Sequence, residues 1–154
     1  VTCLTRLENV HREEKRKMYH ILVVEYDRAI LDGVGIYLKN QGYKVFKAQN
    51  GKEGLEILAK EESTFYLGAT DNIAFGIIEA LREKEIRIPD DISVAGFGNY
   101  EISSIINPAL TTVDFPYEKL GTDAIKSLIN QIEGNEKEII EPAEARLILR
   151  DSTK

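Results

Sequence analysis

The sequence predicts an α/β fold, a three-layer, doubly wound parallel sheet of flavodoxin-like order 2-1-3-4-5, with an extra strand available for one edge. Three observations predict it. Short apolar runs alternate along the chain with amphipathic segments at helical spacing. Between Ser63 and Gly98 an apolar run, an acidic turn, an amphipathic helix, a Pro-Asp-Asp turn and a second apolar run make one strand, helix, strand unit, which requires parallel pairing. Right-handed crossovers then leave few alternatives to the order given.

Taken in order, Leu4, Leu7 and Val10 form a faint helical stripe before the charged run Arg12 to Lys17, with Thr5 and Glu8 spaced as a capping box. This segment, residues 1–17, is expected to be a helical or disordered leader, and residues 18–154 one domain. Ile21 to Val24 is a buried strand bounded by His20 and the acidic Glu25-Tyr26-Asp27. Ile30, Val34, Tyr37 and Leu38 give the next helix its apolar face, and Gln41-Gly42 ends it. Tyr43 to Ala48 reads as a more exposed strand, and Asn50 with Glu53 starts a helix whose inner side is Leu55, Leu58 and Ala59.

Phe65 to Ala69 is the third strand, and it runs into a helix carrying Ala74, Ile77, Ile78 and Leu81 that stops near Arg87-Ile88-Pro89. Ile92 to Phe97 is the fourth. Asn99 is placed to cap a short helix with Ile102, Ile105 and Ile106, ended by Asn107-Pro108. Leu110 to Val113 is the fifth strand, and Pro116 opens a long helix lined by Leu120, Ala124, Leu128 and Ile132. Leu147 to Leu149, between Arg146 and Arg150, suits an edge strand whose charged neighbours discourage further pairing.

The totals narrow the function classes. At 154 residues the chain can bury one real core, and 43% hydrophobic with 30% charged residues is the composition of a globular protein without a membrane span. A net charge of −6 argues against general nucleic-acid binding, which needs a basic face. The single cysteine, Cys3, excludes an internal disulfide, and the absence of a secretory signal points to the cytoplasm. Neither His11 nor His20 has a Ser or Cys partner in a hydrolase motif, and GATDNIAFG lacks the lysine of a phosphate loop. No catalysis is expected.

Residues 18 to about 61, with MYHILVVEYDRAILDGVGIYLKNQGYKVFKAQNGKEGLEIL, resemble the first two strand-helix units of a response-regulator receiver domain. The resemblance lies in the strand ending in acidic residues, the GY-V strand and the A-NG-E-L helix start. Residues 64 to 153, with ATDNIAFGIIEALREKEIRIPDDISVAGFGNYEISSIINPALTTVDFPYEKLGTDAI and LILRDST, resemble the last part of the effector-binding lobe of the lactose-repressor family, which shares the periplasmic sugar-binding fold. Together they imply a chimera of signal-transduction and transcription-regulation parents joined near residue 62, inside one sheet.

The receiver resemblance implies a carboxylate cluster that holds Mg²⁺ beside a phosphoacceptor. Glu25, Asp27 and Asp71 are the candidate metal ligands, and Asp71 the candidate phosphoacceptor. Against this, Tyr26 stands where a coordinating Asp is implied, Gly96, Phe97 and Gly98 where a hydroxyl residue is, and Phe115 where a lysine is. The simpler role for Asp71 is to cap a helix beginning at Ile73. The repressor resemblance implies a small polar ligand at the carboxyl ends of the strands, with Asp71, Asn72 and Asn99 as the candidate contacts. Gly98 replaces the Asp of that family's GFD motif, so its main polar anchor is missing. No DNA-binding helix-turn-helix is implied, and no cofactor beyond Mg²⁺. A third expectation is an interaction module using the leader helix or a sheet edge. Oligomeric state is not legible.

Overall fold

The computed structural model describes residues 19–60, 64–134 and 143–154. The leader helix, Cys3, His11 and the join near residue 62 lie outside these.

Parallel strands β1 (His20–Val24), β2 (Lys44–Ala48), β3 (Phe65–Gly68) and β4 (Ser93–Ala95) form a sheet of order β2-β1-β3-β4. The pairing of β1 with β3, Ile21 opposite Phe65 through Val24 opposite Gly68, is the one the apolar runs predict. Helices α1 (Arg28–Asn40), α2 (Gly51–Leu58) and α3 (Asp71–Glu83) make the crossovers. Because side chains alternate across a strand, β1 feeds two cores. Leu22 and Val24 join Tyr66, Val94, Ile77, Ile78 and Leu81 under α2 and α3. On the other face Ile21 and Val23 meet Leu31 of α1.

Of the expected inner stripe of α1, Val34 and Leu38 pack against Ile21, Val23 and Leu31, and Ile30 and Tyr37 do not. Leu31 and Gly35 are buried, whereas Ile30 and Tyr37 are 51% and 64% exposed. The end of the Lys47 side chain of β2 lies over Gly35, so a Cβ there would require that side chain to shift. The N-cap at Asn50 forms as expected, with Glu53 N–H donating to Asn50 Oδ1 at 3.0 Å, and Glu53 Oε2 accepts from Gln49 N–H at 2.7 Å.

Beyond β4 the sheet changes character. A single parallel bridge joins Ala95 to Thr111, and the ladder continues through Gly96 N–H to Thr111 O and Gly98 N–H to Val113 O. Strand β5 (Thr112–Asp114) then pairs antiparallel with β6 (Arg146–Ile148) as a separate two-stranded ribbon. The fifth position is thus occupied only at its start, and the extra strand pairs with β5 alone. Ser152 closes the gap beside β4: its N–H reaches Ala109 O and its hydroxyl Val94 O, while its carbonyl accepts from Val94 N–H. Helix α4 (Tyr117–Ile132) has no buried residue, so the face of Leu120, Ala124, Leu128 and Ile132 does not pack into the core.

Candidate functional site

The carboxyl ends of β3, β4 and β5 meet around Asp71. Thr70, in extended conformation, caps α3 by accepting from Ile73 N–H at 3.4 Å, so the helix starts at Asp71 and the capping role belongs to Thr70. Asp71 is free for other work. Its carboxylate is fully buried, accepting from Thr112 Oγ1 at 2.5 Å and from Tyr100 N–H at 2.8 Å, and its own N–H donates to Phe97 O at 2.9 Å. One residue therefore ties the first turn of α3 to the loop 97–100 and to β5. A buried acceptor with two donors satisfies the requirement that such a polar group be hydrogen-bonded. Gly96 is required here, since a Cβ at that position would meet Asp71 Cα at 3.0 Å and press on its carboxylate.

Asn99 holds a left-handed backbone at φ 50°, which Asn tolerates better than most residues. Its N–H donates to Thr112 Oγ1 at 3.2 Å, and its Oδ1 accepts from Arg150 Nη2 at 2.7 Å. Arg150 also reaches Leu110 O through Nη1, which fixes the loop to the strand after it. Asn99 is therefore no helix cap. The short 3-10 helix, Glu101–Ser104, starts after Tyr100 and has no side-chain cap. Among the described residues the Asn99 side-chain amide makes no hydrogen bond as a donor, and Asn72 is exposed on the first turn of α3. The structure thus gathers Asp71, Asn72 and Asn99 at one end of the sheet, with Asp71 buried beneath the other two.

The carboxylate cluster does not assemble. Glu25 is buried and turns back on its own turn, with Oε1 accepting from Asp27 N–H at 2.9 Å. Asp27 caps α1, accepting from Ala29 N–H at 2.8 Å and Ile30 N–H at 3.1 Å. Among the described residues no group of three or more His, Cys, Asp or Glu side chains is arranged to hold a metal ion. Glu25 and Asp27 each serve a local backbone need instead, and Asp71 is taken up by Thr112 and Tyr100.

Four aromatic residues that the sequence reading did not place in a site flank the same end. Phe97 and Phe115 have ring centroids 6.0 Å apart, and Phe115 and Tyr117 5.4 Å with an edge-to-face tilt of 66°. The Tyr117 phenol is held above its ordinary pKa by partial desolvation, then by Tyr100 and Asp71 nearby. The signal was the clustering of aromatics at two strand ends, in GFGNY and DFPY. At the opposite end of the sheet a groove of about 540 Å³ is lined by Tyr19, Leu38, Tyr43, Phe65, Pro89 and Lys154. It lies at the amino ends of the strands, where open α/β sheets do not collect ligands.

A profile of the periplasmic binding protein-like domain matches residues 25–153. The HTH-type transcriptional regulator RegA of Clostridium acetobutylicum is 38% identical over 110 residues, covering 70% of this chain and 33% of that protein. The HTH-type transcriptional repressor PurR of Histophilus somni is 37% identical over 113 residues, covering 71% and 34%. The chain spans about a third of the length of these relatives. Among solved structures, the Escherichia coli transcriptional repressor ascG superposes with a TM-score of 0.74 at 22% identity, over 97% of this chain and 60% of that one. A LacI-family regulator from Arthrobacter, in complex with lactose, superposes with a TM-score of 0.72 at 21% identity, over 98% and 63%. These likenesses establish the shared fold.

The matches overturn the chimera. The profile runs without a break from residue 25 through residue 62 to residue 153, so it includes most of the segment likened to a receiver domain. The receiver-like features are those of a generic parallel unit: an apolar strand ending in acidic residues, a GY-V strand and a capped helix. With the receiver half goes the phosphoacceptor reading of Asp71, whose carboxylate is in any case enclosed by Thr112 and Tyr100. The chain belongs to the periplasmic binding protein-like family.

Proposed function

We propose that this member of the periplasmic binding protein-like family is the ligand-sensing part of a transcription regulator of the lactose-repressor type, without catalytic activity. It takes a small polar effector at the carboxyl ends of β3 and β4 and makes no contact with nucleic acid itself. The observation that supports this most is the loop 97–100, pinned from beneath by buried Asp71 and from behind by Arg150. That construction presents the Asn99 amide and the exposed Asn72 at the strand ends, where ligands bind in open α/β sheets. Asp71 then acts as a positioning residue, and Asn72 and Asn99 as ligand contacts. Such a regulator works in the cytoplasm, consistent with the lack, among the described residues, of any helix long and apolar enough to cross a membrane.

Titration with a panel of hexoses, pentoses and disaccharides, followed by amide chemical shifts, tests this. A binding sugar is expected to move the resonances of residues 70–72 and 97–100, and Asn99→Ala is expected to weaken it about three- to tenfold, the worth of one neutral hydrogen bond. A sugar that binds while moving only residues around Tyr19, Tyr43 and Pro89 would overturn the assignment to this end of the sheet.

A further inference from the structure

Helices α2 and α3 pack on the same face of the sheet, yet they do not close the space between them. A cavity of about 120 Å³ remains there, walled by Val24, Leu55, Ile77, Ala80, Leu81 and the Tyr66 ring. Glycines account for it. Gly54 lies at the base, where a Cβ would make ordinary contacts of 3.6 to 3.8 Å with Val24, Ala48 and Leu22. Gly51 and Gly76 line the cavity from its two helices; both are exposed, and a Cβ on either would find nothing within 4 Å. Beneath them, Val24, Ile77 and Leu81 belong to the buried core. Apart from the Tyr66 phenol, every lining side chain is hydrocarbon or a glycine hydrogen. A water held in a cavity needs about two to four polar partners, and the helix backbones spend theirs within the helices. Water fills such a space poorly, and hydrocarbon fills it well.

We propose that this cavity is a binding site for a small, uncharged, apolar molecule of about the size of a benzene ring, separate from the polar site at the strand ends. The volume sets the size, since a dry apolar cavity of about 150 Å³ takes benzene or xenon and this one is slightly smaller. The lining sets the class. A ligand with a charge or several hydroxyls would give up its hydration with almost nothing to replace it. An apolar guest instead supplies the dispersion contacts that facing side chains on α2 and α3 would make if the glycines were larger. The two exposed glycines give it a way in, so the core beneath need not open. Neither Asp71 nor Asn99 lines the cavity, and the inference stands apart from the sensing function.

Benzene, titrated into the full chain up to its solubility and read from side-chain methyl shifts, tests this. Saturating shifts at Val24, Leu55, Ile77 and Leu81 are expected, with a Kd of about a millimolar. Pyridine, the same ring with one polar nitrogen, is expected to bind about tenfold more weakly. The double substitution Gly51→Ala with Gly76→Ala puts two methyl groups into open space and suits both helices, so the fold is kept while benzene affinity falls about tenfold. A thermal melt of the variant checks that it folds. The unaltered chain gives an answer without it, because shifts that do not saturate, or that miss these four methyl-bearing residues, would overturn the site. So would benzene affinity that survives both alanines in a folded variant. Pyridine bound as tightly as benzene would overturn the apolar class.

Discussion

Helices α3 and α4 carry similar amphipathic sequences and meet different fates. In α3, Ala74, Ile77, Ile78 and Leu81 are at most 8% exposed. In α4, Ile125, Leu128, Ile129 and Ile132 are between 47% and 77% exposed. The difference lies in the connections. The strands on either side of α3, β3 and β4, pair directly with each other, so the crossover presses the helix onto the sheet. The strand before α4 meets the sheet only past the end of β4, through Gly96 N–H to Thr111 O and Gly98 N–H to Val113 O, and pairs antiparallel with β6, so nothing returns α4 to the sheet face. An apolar stripe states that a helix has a face to bury; the pairing of its flanking strands decides what buries it.

The largest effect should come from cutting the packed helix. Leu81→Ala, at a residue 1% exposed, is expected to destabilise by about 2 to 5 kcal/mol, whereas Leu128→Ala should stay within about 0.5 kcal/mol. Urea unfolding with both variants checks this, and comparable losses would mean that α4 is buried in solution. Next comes the hub at the strand ends. Asp71→Ala leaves the Thr112 hydroxyl and the Tyr100 N–H without their acceptor, at a cost of about 1 to 3 kcal/mol. Loss of protection at the Tyr100 amide in hydrogen exchange should accompany it, and unchanged protection would show that the loop does not depend on Asp71.

The contrast between the two helices also marks where the sequence was readable. Wherever a strand, helix, strand unit closes on itself the periodicity named the right elements, and β1 lies beside β3 as expected, with Ile21 opposite Phe65. Local chemistry misled in three places. Asp71 was read as a cap because its residue type suits one, yet Thr70 precedes it and takes the role, which frees a carboxylate for long-range work. The receiver resemblance implies Glu25 and Asp27 as candidate metal ligands, yet a buried turn and a helix start each consume one. The receiver likeness arose from features that any parallel unit shares. What the sequence could not carry was tertiary: which aromatics come together from Phe97 and Phe115, separated by a whole loop and strand, and where β5 leaves the sheet.

Glycine substitutions sharpen the comparison with smaller effects. Gly76 in α3 and Gly121 in α4 both have open space where a Cβ would go. Each should gain about 1 kcal/mol of helix propensity on substitution by Ala. Only in α3, packed on the sheet, should that gain reach global stability. Gly76→Ala is therefore expected to raise Tm, while Gly121→Ala raises helical ellipticity with Tm unmoved. A matching rise in Tm from Gly121→Ala would place α4 in the same cooperative unit as the sheet.

The smallest effect is electrostatic and again separates the two regions. Between α3 and β4, Asp91 accepts from Arg87 Nη2 at 2.7 Å, Nε at 3.0 Å and N–H at 3.1 Å, whereas Lys119 and Asp123 in α4 make a single contact of 3.1 Å. The side-chain bonds from Arg87, then its backbone N–H, hold the Asp91 carboxyl at about 2, below its ordinary 3.8. A carboxyl depressed in the folded state adds stability that is fully present above its unfolded value, and that is lost as pH falls through the range from about 4 to about 2. Both groups are exposed, so the contribution is screened and small. Asp91→Asn should therefore flatten the acid limb of the stability curve slightly in that window. An acid limb unaffected by Asp91→Asn would mean that the Arg87 fork does not persist in solution, and that the crossover after α3 is held by its apolar packing alone.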